Sequence, residues 1–228
     1  MPMKKNILIW DLPLRVFHWL LVLCVLGAVF CVEVLDDAMQ WHGYFGYCIL
    51  VLVSFRIVWG FIGPVHARFT SFVPTPNRLK KYLQGKTAGG LGHNPLGALS
   101  VIGLLVVLAV QAGTGLFADD EIAFQGPLSK YVPNFVVELM SKAHEINHTF
   151  IYCLIALHLA AIFFYQKVKG EDLIRPMIFG EKHLDVDEHT QDLPNHLREA
   201  AKDGWGHRLL ALLLIAGIAT LFIYGVVR

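Results

Sequence analysis

Residues 143–165 read AHEINHTFIYCLIALHLAAIFFY, an apolar stretch that carries one acidic residue and three histidines. A helix of about 20 apolar residues crosses about 30 Å of hydrocarbon, so this stretch is predicted to be a transmembrane helix. Ionisable side chains inside such a helix are costly and serve a function by default. His144 and His158 are therefore the first candidate functional residues.

Four further stretches are long and apolar enough to span a membrane: residues 14–32, 41–62, 95–117 and 206–227. Hydrophobic residues make up 55% of the chain and charged residues 16%, whereas a soluble domain carries about 25% charged residues. The sequence predicts an all-α integral membrane protein of one domain, residues 1–228. It would be a transmembrane bundle of four helices plus a fifth transmembrane helix, with residues 167–205 as a cytoplasmic loop that contains a short helix near 193–203.

The basic residues are unevenly distributed along the chain. Of the 19 Lys and Arg residues, all but Lys130, Lys142 and Arg228 fall on the side of the predicted bundle where the N-terminus lies. The positive-inside rule then places the N-terminus in the cytoplasm and the C-terminus outside. The outer loops are acidic, and they contain Glu33, Asp36, Asp37, Asp119, Asp120, Glu121 and Glu138.

The four cysteines exclude several kinds of metal site. All four fall inside predicted spans, and no two of them form a C-x-x-C pair. Iron–sulfur clusters, zinc knuckles and covalent haem attachment are therefore not predicted, and any haem would be held without a thioether link. Membrane lipid is the expected surrounding, and no nucleic-acid partner is predicted.

His144 and His158 are separated by fourteen residues on one predicted helix. At 100° per residue this is nearly four turns, so both rings would project from one face, about 21 Å apart along the axis. That separation suits two haems stacked across a membrane. A binuclear metal site would need ligands a few ångströms apart, so this kind of site is excluded.

The directions of the spans predict how the histidines pair. His18 and His158 would ligate the iron of an inner haem, and His42 and His144 the iron of an outer haem. Such a haem has two axial imidazoles and no open position, which is typical of an electron carrier. The alternative is that these histidines cap helices or form hydrogen bonds in the bundle. Arg56, fourteen residues after His42, would bind a haem propionate or would snorkel to the cytoplasmic interface.

A rival motif begins at the same histidine. Residues 144–148 read HEINH and match H-E-x-x-H, in which both histidines bind zinc and the glutamate is the general base of a protease. A zinc protease needs a third ligand on another element. The fifth span has no Asp, Glu or His after Arg208. An intramembrane zinc metalloprotease that uses His144, Glu145 and His148 is therefore the second hypothesis, and a haem-bearing membrane anchor without its own turnover is the third.

Several short motifs together resemble the bacterial di-haem cytochrome b561 proteins, whose superfamily includes the cytochrome b subunits of nickel–iron hydrogenases. The resemblance covers residues 7 to about 180, which contain four of the five spans. The motifs are WDLP at 10–13, FHW at 17–19, WH at 41–42, GY at 46–47, FR at 55–56, WGF at 59–61, GP at 63–64, GHNP at 92–95 and LH at 157–158.

The resemblance implies four core helices, two haems b with paired histidine ligands, and electron transfer between a quinone and a second redox partner. The partner would be a periplasmic c-type cytochrome or a hydrogenase, and the chain would be the electron-transfer component of an oxidoreductase. The family also includes a superoxide oxidase. The acidic outer loops disfavour attraction of that anion and favour a basic c-type cytochrome.

The residues before the third span have two interpretations. Asn94 is predicted to cap the third helix, with Pro95 as its first residue. His93 and Asn94 could instead contact a quinone head group or a haem propionate.

Overall fold

A computed structural model of the chain describes residues 4–87, 89–122, 124–185 and 200–227. Within these ranges, five helices are long and apolar enough to span a membrane, which confirms the predicted all-α membrane protein. In chain order the elements are β1 Lys4–Leu8, α1 Leu12–Glu33, α2 Met39–Ile62, α3 Phe69–Phe72, α4 Pro76–Leu83, α5 Pro95–Gly115, α6 Asn134–Lys167, α7 Ile174–Phe179, β2 Glu181–Asp185 and α8 Trp205–Phe222, which continues as a π-helical turn, Ile223–Val227.

The spans lie close to their predicted positions, except that α6 begins at Asn134 instead of residue 143. The additional segment contains the charged residues Glu138 and Lys142, so it is not part of the apolar stretch from which the span was predicted. Charged residues do not oppose helix formation, so the helix continues beyond its apolar part. The short helix predicted near 193–203 is not found over 200–203, and the rest of it lies outside the described residues.

The start of α5 is the one predicted from the sequence. Asn94 Oδ1 accepts a hydrogen bond of 2.7 Å from the backbone N–H of Gly97, and the Asn94 carbonyl accepts one from Ala98. Pro95 is the first helical residue and has no N–H to satisfy. Asn94 is therefore an N-cap, and this confirms the simpler of its two interpretations.

The chain divides into two compact units. The first comprises Met1–Val16, Ile57–Gly103 and Ala156–Ala211, and the second comprises Phe17–Arg56, Leu104–Ile155 and Leu212–Arg228. Each of the five long helices contributes one segment to each unit. The single domain expected from the sequence stays a prediction.

The first unit contains a two-stranded antiparallel sheet that the sequence analysis did not predict. β1 pairs with β2 from Lys4 opposite Asp185 to Leu8 opposite Glu181. Gly180 ends α7 in the left-handed region, with φ of 91°, and its carbonyl accepts hydrogen bonds from the N–H groups of Ile9 and Trp10. The N-terminal strand is thereby fixed to the segment that follows the fourth span.

A buried hydrogen bond and a group of charges hold the start of α1 in this unit. Trp59 Nε1 donates to Asp11 Oδ2 over 2.9 Å, and both residues are buried. Asp203 accepts two hydrogen bonds from Arg208 and lies 4.0 Å from the guanidinium of Arg15. These contacts connect the residues at the start of the first and fifth spans.

Burial raises the pKa of Asp11 to about 6, although the hydrogen bond from Trp59 acts in the opposite direction. Because this pKa lies above the ordinary 3.8, the ionised carboxylate destabilises the folded protein. The destabilisation is complete above pH 6 and is relieved as the pH falls towards 4.

Asp11→Asn keeps an oxygen acceptor for Trp59 and removes the charge. We expect it to raise the melting temperature of the purified protein by about 5 °C at pH 7.5, and by much less at pH 4.5.

Asp203→Asn provides the contrast to this substitution. Burial raises the pKa of Asp203, but the hydrogen bonds and charge of Arg208 outweigh burial and lower it overall. The stabilisation from this carboxylate is therefore present at neutral pH and is lost on acidification. Asp203→Asn should lower the melting temperature at pH 7.5. A fall on Asp11→Asn at the same pH would show that the charged Asp11 stabilises the fold.

The second unit contains segments of α1, α2, α5 and α6 in close contact. A Cβ atom on Gly27 of α1 would lie 2.5 Å from the ring of Phe45 in α2, so only glycine permits this approach. Asn147 of α6 donates to the Val107 carbonyl and to Gln111 Oε1 of α5, at 2.9 and 2.7 Å. Large side chains such as Leu23 and Leu26 remain more than 60% exposed, as expected for a surface that faces lipid.

Candidate functional site

A cavity of about 410 Å³ lies inside the second unit. Cofactor sites typically occupy 300–1,000 Å³ and have mostly apolar walls, and this cavity fits that description. α1, α2, α5 and α6 all contribute to its lining. The aliphatic part of the wall consists of Val25, Ala28, Val29, Val32, Ile49, Leu108, Ala112, Leu116, Ala118 and Ile151.

His42 from α2 and His144 from α6 both line this cavity, and their ring centres are 6.0 Å apart. Histidine binds zinc at about 2.0–2.1 Å, and the centre of an imidazole ring lies about 1.1 Å from its nitrogen. If two imidazoles bound the same metal ion at this distance, their ring centres would lie about 6.3 Å apart. The pair therefore has about the separation expected if both imidazoles bound one metal ion.

Hydrogen bonds orient both rings through the same nitrogen. His42 Nδ1 lies 3.0 Å from the Ala28 carbonyl oxygen. His144 Nδ1 lies 3.0 Å from the Gln111 carbonyl oxygen and 3.2 Å from Thr114 Oγ1. A carbonyl only accepts, so Nδ1 carries the proton and Nε2 keeps a free lone pair for a metal ion. This arrangement is typical of metal-binding histidines, because the second hydrogen bond fixes the ring and its tautomer.

Three glycines line this cavity. Gly46 lines the cavity, and a Cβ atom there would meet no atom within 4 Å. A Cβ atom on Gly115 would lie 3.1 Å from His144 Cε1, and one on Gly43 would lie 2.6 Å from the Phe124 ring. A larger residue at 46 would occupy the cavity, and one at 115 would displace the imidazole.

The residues of this site fit a haem b. His42 and His144 offer two neutral imidazoles as iron ligands. Four helices supply an apolar wall, and the glycines leave room for a flat macrocycle. The cysteines of the chain include no C-x-x-C-H attachment motif, so a haem would be held by the two histidines alone. A haem held here by His42 and His144 would supply one-electron transfer.

The zinc alternative gains no support from the structure. Glu145 and His148 are exposed residues at the edge of the cavity, and the His148 ring contacts Tyr152 with ring centres 5.5 Å apart. Among the described residues, no group of three or more His, Cys, Asp or Glu side chains is placed to hold a metal ion. His144 thus faces His42 across the cavity, and the part of the chain that the structure describes provides no third ligand of the kind that a zinc protease requires.

Acidic residues lie at the edge of the cavity, but two of them have structural roles. Asp119 accepts from the Glu121 N–H at 2.8 Å and from Gln125 Nε2 at 3.1 Å. Asp120 Oδ1 accepts from the N–H groups of Ile122 and Phe124. These carboxylates shape their own loop. The exposed Asp36 and Asp37, in the segment between α1 and α2, are therefore better probes of surface charge.

The remaining predicted ligands are distributed over the two units. His18 belongs to the second unit, with its ring 5.1 Å from the Trp19 ring. His158 belongs to the first unit, with Nδ1 3.4 Å from Ser100 Oγ. The pairing of His18 with His158 stays a prediction. Arg56, in the second unit, is only 2% exposed, which disfavours snorkelling because a snorkelling guanidinium reaches water.

His93 packs between two aromatic rings of the first unit. Its ring centre is 4.6 Å from that of Trp10 and 4.5 Å from that of Phe72. Contact of His93 with a quinone stays a prediction.

Ala28, Gln111 and Thr114 are site residues that the sequence analysis missed. The polar Gln111 and Thr114 in an otherwise apolar span were the signal that could have found them.

Comparison with known proteins identifies relatives of this chain. A probable Ni/Fe-hydrogenase B-type cytochrome subunit from Azotobacter chroococcum mcd 1 is 23% identical over 214 residues, covering 78% of this chain and 88% of the relative. A protein of the same description from Azotobacter vinelandii is 22% identical over 212 residues, with the same coverage. The model of the prokaryotic cytochrome b561 family matches residues 9–180. This match covers most of the chain, and the protein therefore belongs to the prokaryotic cytochrome b561 family.

Proposed function

We propose that this membrane b-type cytochrome carries electrons across the bacterial inner membrane, between the quinone pool and a periplasmic redox protein. The observation that supports this most strongly is the His42–His144 pair, with ring centres 6.0 Å apart inside an apolar cavity. Two histidines on one metal ion leave no position for a substrate, which suits electron transfer better than catalysis at the metal.

Two haems b would be held by four histidines. His42 and His144 would bind the outer haem, and the hydrogen bonds on their Nδ1 atoms support this assignment. His18 and His158 would bind the inner haem, as the fourteen-residue spacing between His144 and His158 indicates. The buried Arg56 would neutralise a propionate, because guanidinium binds carboxylate through two parallel hydrogen bonds.

The orientation rests on charge. Apart from Lys130, Lys142 and Arg228, the basic residues belong to the N-terminal side of the predicted topology, and the positive-inside rule places that side in the cytoplasm. The C-terminus would then be periplasmic. The His42–His144 cavity would lie towards the periplasm, because His42 is near the start of α2 and His144 is in the N-terminal half of α6.

The nature of the outer partner follows from two observations. The relatives from Azotobacter are described as hydrogenase cytochrome subunits, which favours a hydrogenase. The exposed carboxylates of Asp36 and Asp37 favour a partner with a basic docking surface, since opposite charges speed encounter. A basic c-type cytochrome has such a surface and is the alternative partner.

Electron exchange with a cationic partner tests this proposal. Stopped-flow absorbance would follow reoxidation of the reduced protein by a basic c-type cytochrome across a salt series. The rate should fall as salt rises, because exposed charges are screened over about 8 Å at physiological ionic strength. Asp36→Asn/Asp37→Asn should slow the reaction several-fold at low salt, change it little at high salt, and leave the haem spectrum unaltered.

Glu181→Gln is the control, because Glu181 is an exposed carboxylate of the first unit, on the proposed cytoplasmic side. It should leave the rate unchanged. A rate that is independent of salt would exclude steering by a basic partner. If the haems reduce chemically but exchange no electrons with either a quinone or the cytochrome, the protein is a haem-bearing anchor instead.

A further inference from the structure

A short helix in the first unit has no role in the proposed electron transfer. α4 begins at Pro76, where Thr75 Oγ1 accepts from the Arg78 N–H over 3.3 Å, and it ends at Leu83. Leu79, Tyr82 and Leu83 are spaced three and four residues apart. They therefore share one face of the helix, and α4 is amphipathic.

The basic residues of α4 border this apolar face. At 100° per residue, Arg78 and Lys80 lie about 100° to either side of Leu79. Lys81 projects from the opposite face, and Lys80 and Lys81 are both exposed. An apolar face bordered by long basic side chains is typical of helices that lie in the membrane interface, where the side-chain stems cover apolar surface and the charges reach phosphate groups.

One contact places α4 beside the end of a membrane span. The hydroxyls of Tyr82 and Tyr165 are 2.8 Å apart, and Tyr165 lies two residues before the end of α6 at Lys167. Leu83 is 63% exposed although it shares the apolar face with Tyr82. A helix held at this level can bury Leu83 in the hydrocarbon and keep its lysines at the head groups.

Among the described residues, no acidic side chain forms an ion pair with Lys80 or Lys81. The sequence has no Asp or Glu between Asp37 and Asp119, so all the charged residues in the segment around α4 are basic. Glu171, from the segment after α6, is near enough to act on the Tyr82 hydroxyl, but its ion pair is with Lys182, at 3.8 Å. The exposed charge of α4 is therefore available to an anion from outside the protein.

We propose that α4 is an interfacial helix that binds the head groups of anionic phospholipids in the surrounding bilayer. Charge complementarity selects the occupant. Basic residues near a membrane surface attract anionic lipid by an amount that corresponds to about fivefold in affinity for each residue. This inference is independent of the haem assignment. The basic residues of α4 would then have a binding role in addition to their effect on topology.

Native mass spectrometry of the full-length protein in detergent, titrated with phosphatidylglycerol at low salt, tests the proposal. Lys80→Gln/Lys81→Gln should raise the Kd of the first bound phosphatidylglycerol by about tenfold or more. The matched control is Lys130→Gln/Lys142→Gln, which removes two lysines of the second unit and should leave this Kd within about twofold. Neither double variant should change binding of phosphatidylcholine or the melting temperature.

Two results would overturn the proposal. One is an unchanged Kd in Lys80→Gln/Lys81→Gln, or a control variant that weakens binding equally. The other is displacement of phosphatidylglycerol by inorganic phosphate at concentrations similar to those of the lipid, which would assign the charge to a soluble anion. A preference for phosphatidylglycerol over phosphatidylcholine that falls as salt rises would support a lipid-binding surface.

Discussion

His144→Ala should yield a purified protein that lacks one of the two proposed haems b. The substitution removes one of the two imidazoles that face each other across the cavity, and His42 alone cannot hold a six-coordinate iron. The pyridine haemochrome assay should give about half the haem per chain. The reduced spectrum should lose the bands of one haem and keep those of the other.

His148→Ala is the matched control for this loss. His148 lies one turn along the same helix and also lines the cavity, but its ring contacts Tyr152 instead of His42. The control variant should keep both haems. Loss of a haem in His148→Ala, with both retained in His144→Ala, would transfer the ligand role to His148 and reopen the H-E-x-x-H interpretation.

Gly46→Leu should remove the outer haem without altering any ligand. Gly46 lines the cavity, and a Cβ atom at this position would contact nothing within 4 Å, so a leucine would extend into the space that the macrocycle needs. We expect about one haem per chain, and a protein that still folds because a Cβ atom at this position meets open space. Haem content and the melting temperature would be measured on the same preparation.

Gly113→Leu controls for the effect of a larger residue in a span. A Cβ atom on Gly113 of α5 would also meet no atom within 4 Å, but Gly113 does not line the cavity. It should keep both haems. If Gly46→Leu also binds two haems with an unchanged spectrum, the cavity of the second unit is not a haem site.

The membrane fold could be predicted because its signals are local. A run of apolar residues as long as the hydrocarbon is thick identifies a span wherever its neighbours lie, and five such runs are present. The cap at Asn94 is local too, since Asn94 and Gly97 are three residues apart. The spacing of His144 and His158 on one helix follows from helical geometry alone.

The polar beginning of α6 shows where local signals mislead. Residues 134–142 are helical but carry Glu138 and Lys142. A prediction based on the apolar stretch therefore places the start of the helix too late. The pairing of β1 with β2 was not predictable for a different reason. The paired strands are far apart in sequence, and a short strand has little signal until its partner is present.

The sequence alone could therefore identify the spans, the four candidate ligands and the direction of the charge asymmetry. It could not identify the atoms that orient the ligands. The partners of His42 and His144 are backbone carbonyls of Ala28 and Gln111, and every residue carries a carbonyl, so no residue type reveals them. Which carbonyl meets which imidazole, and which glycine faces the cavity, depends on how the helices pack and rotate against one another, and that is a property of the tertiary structure.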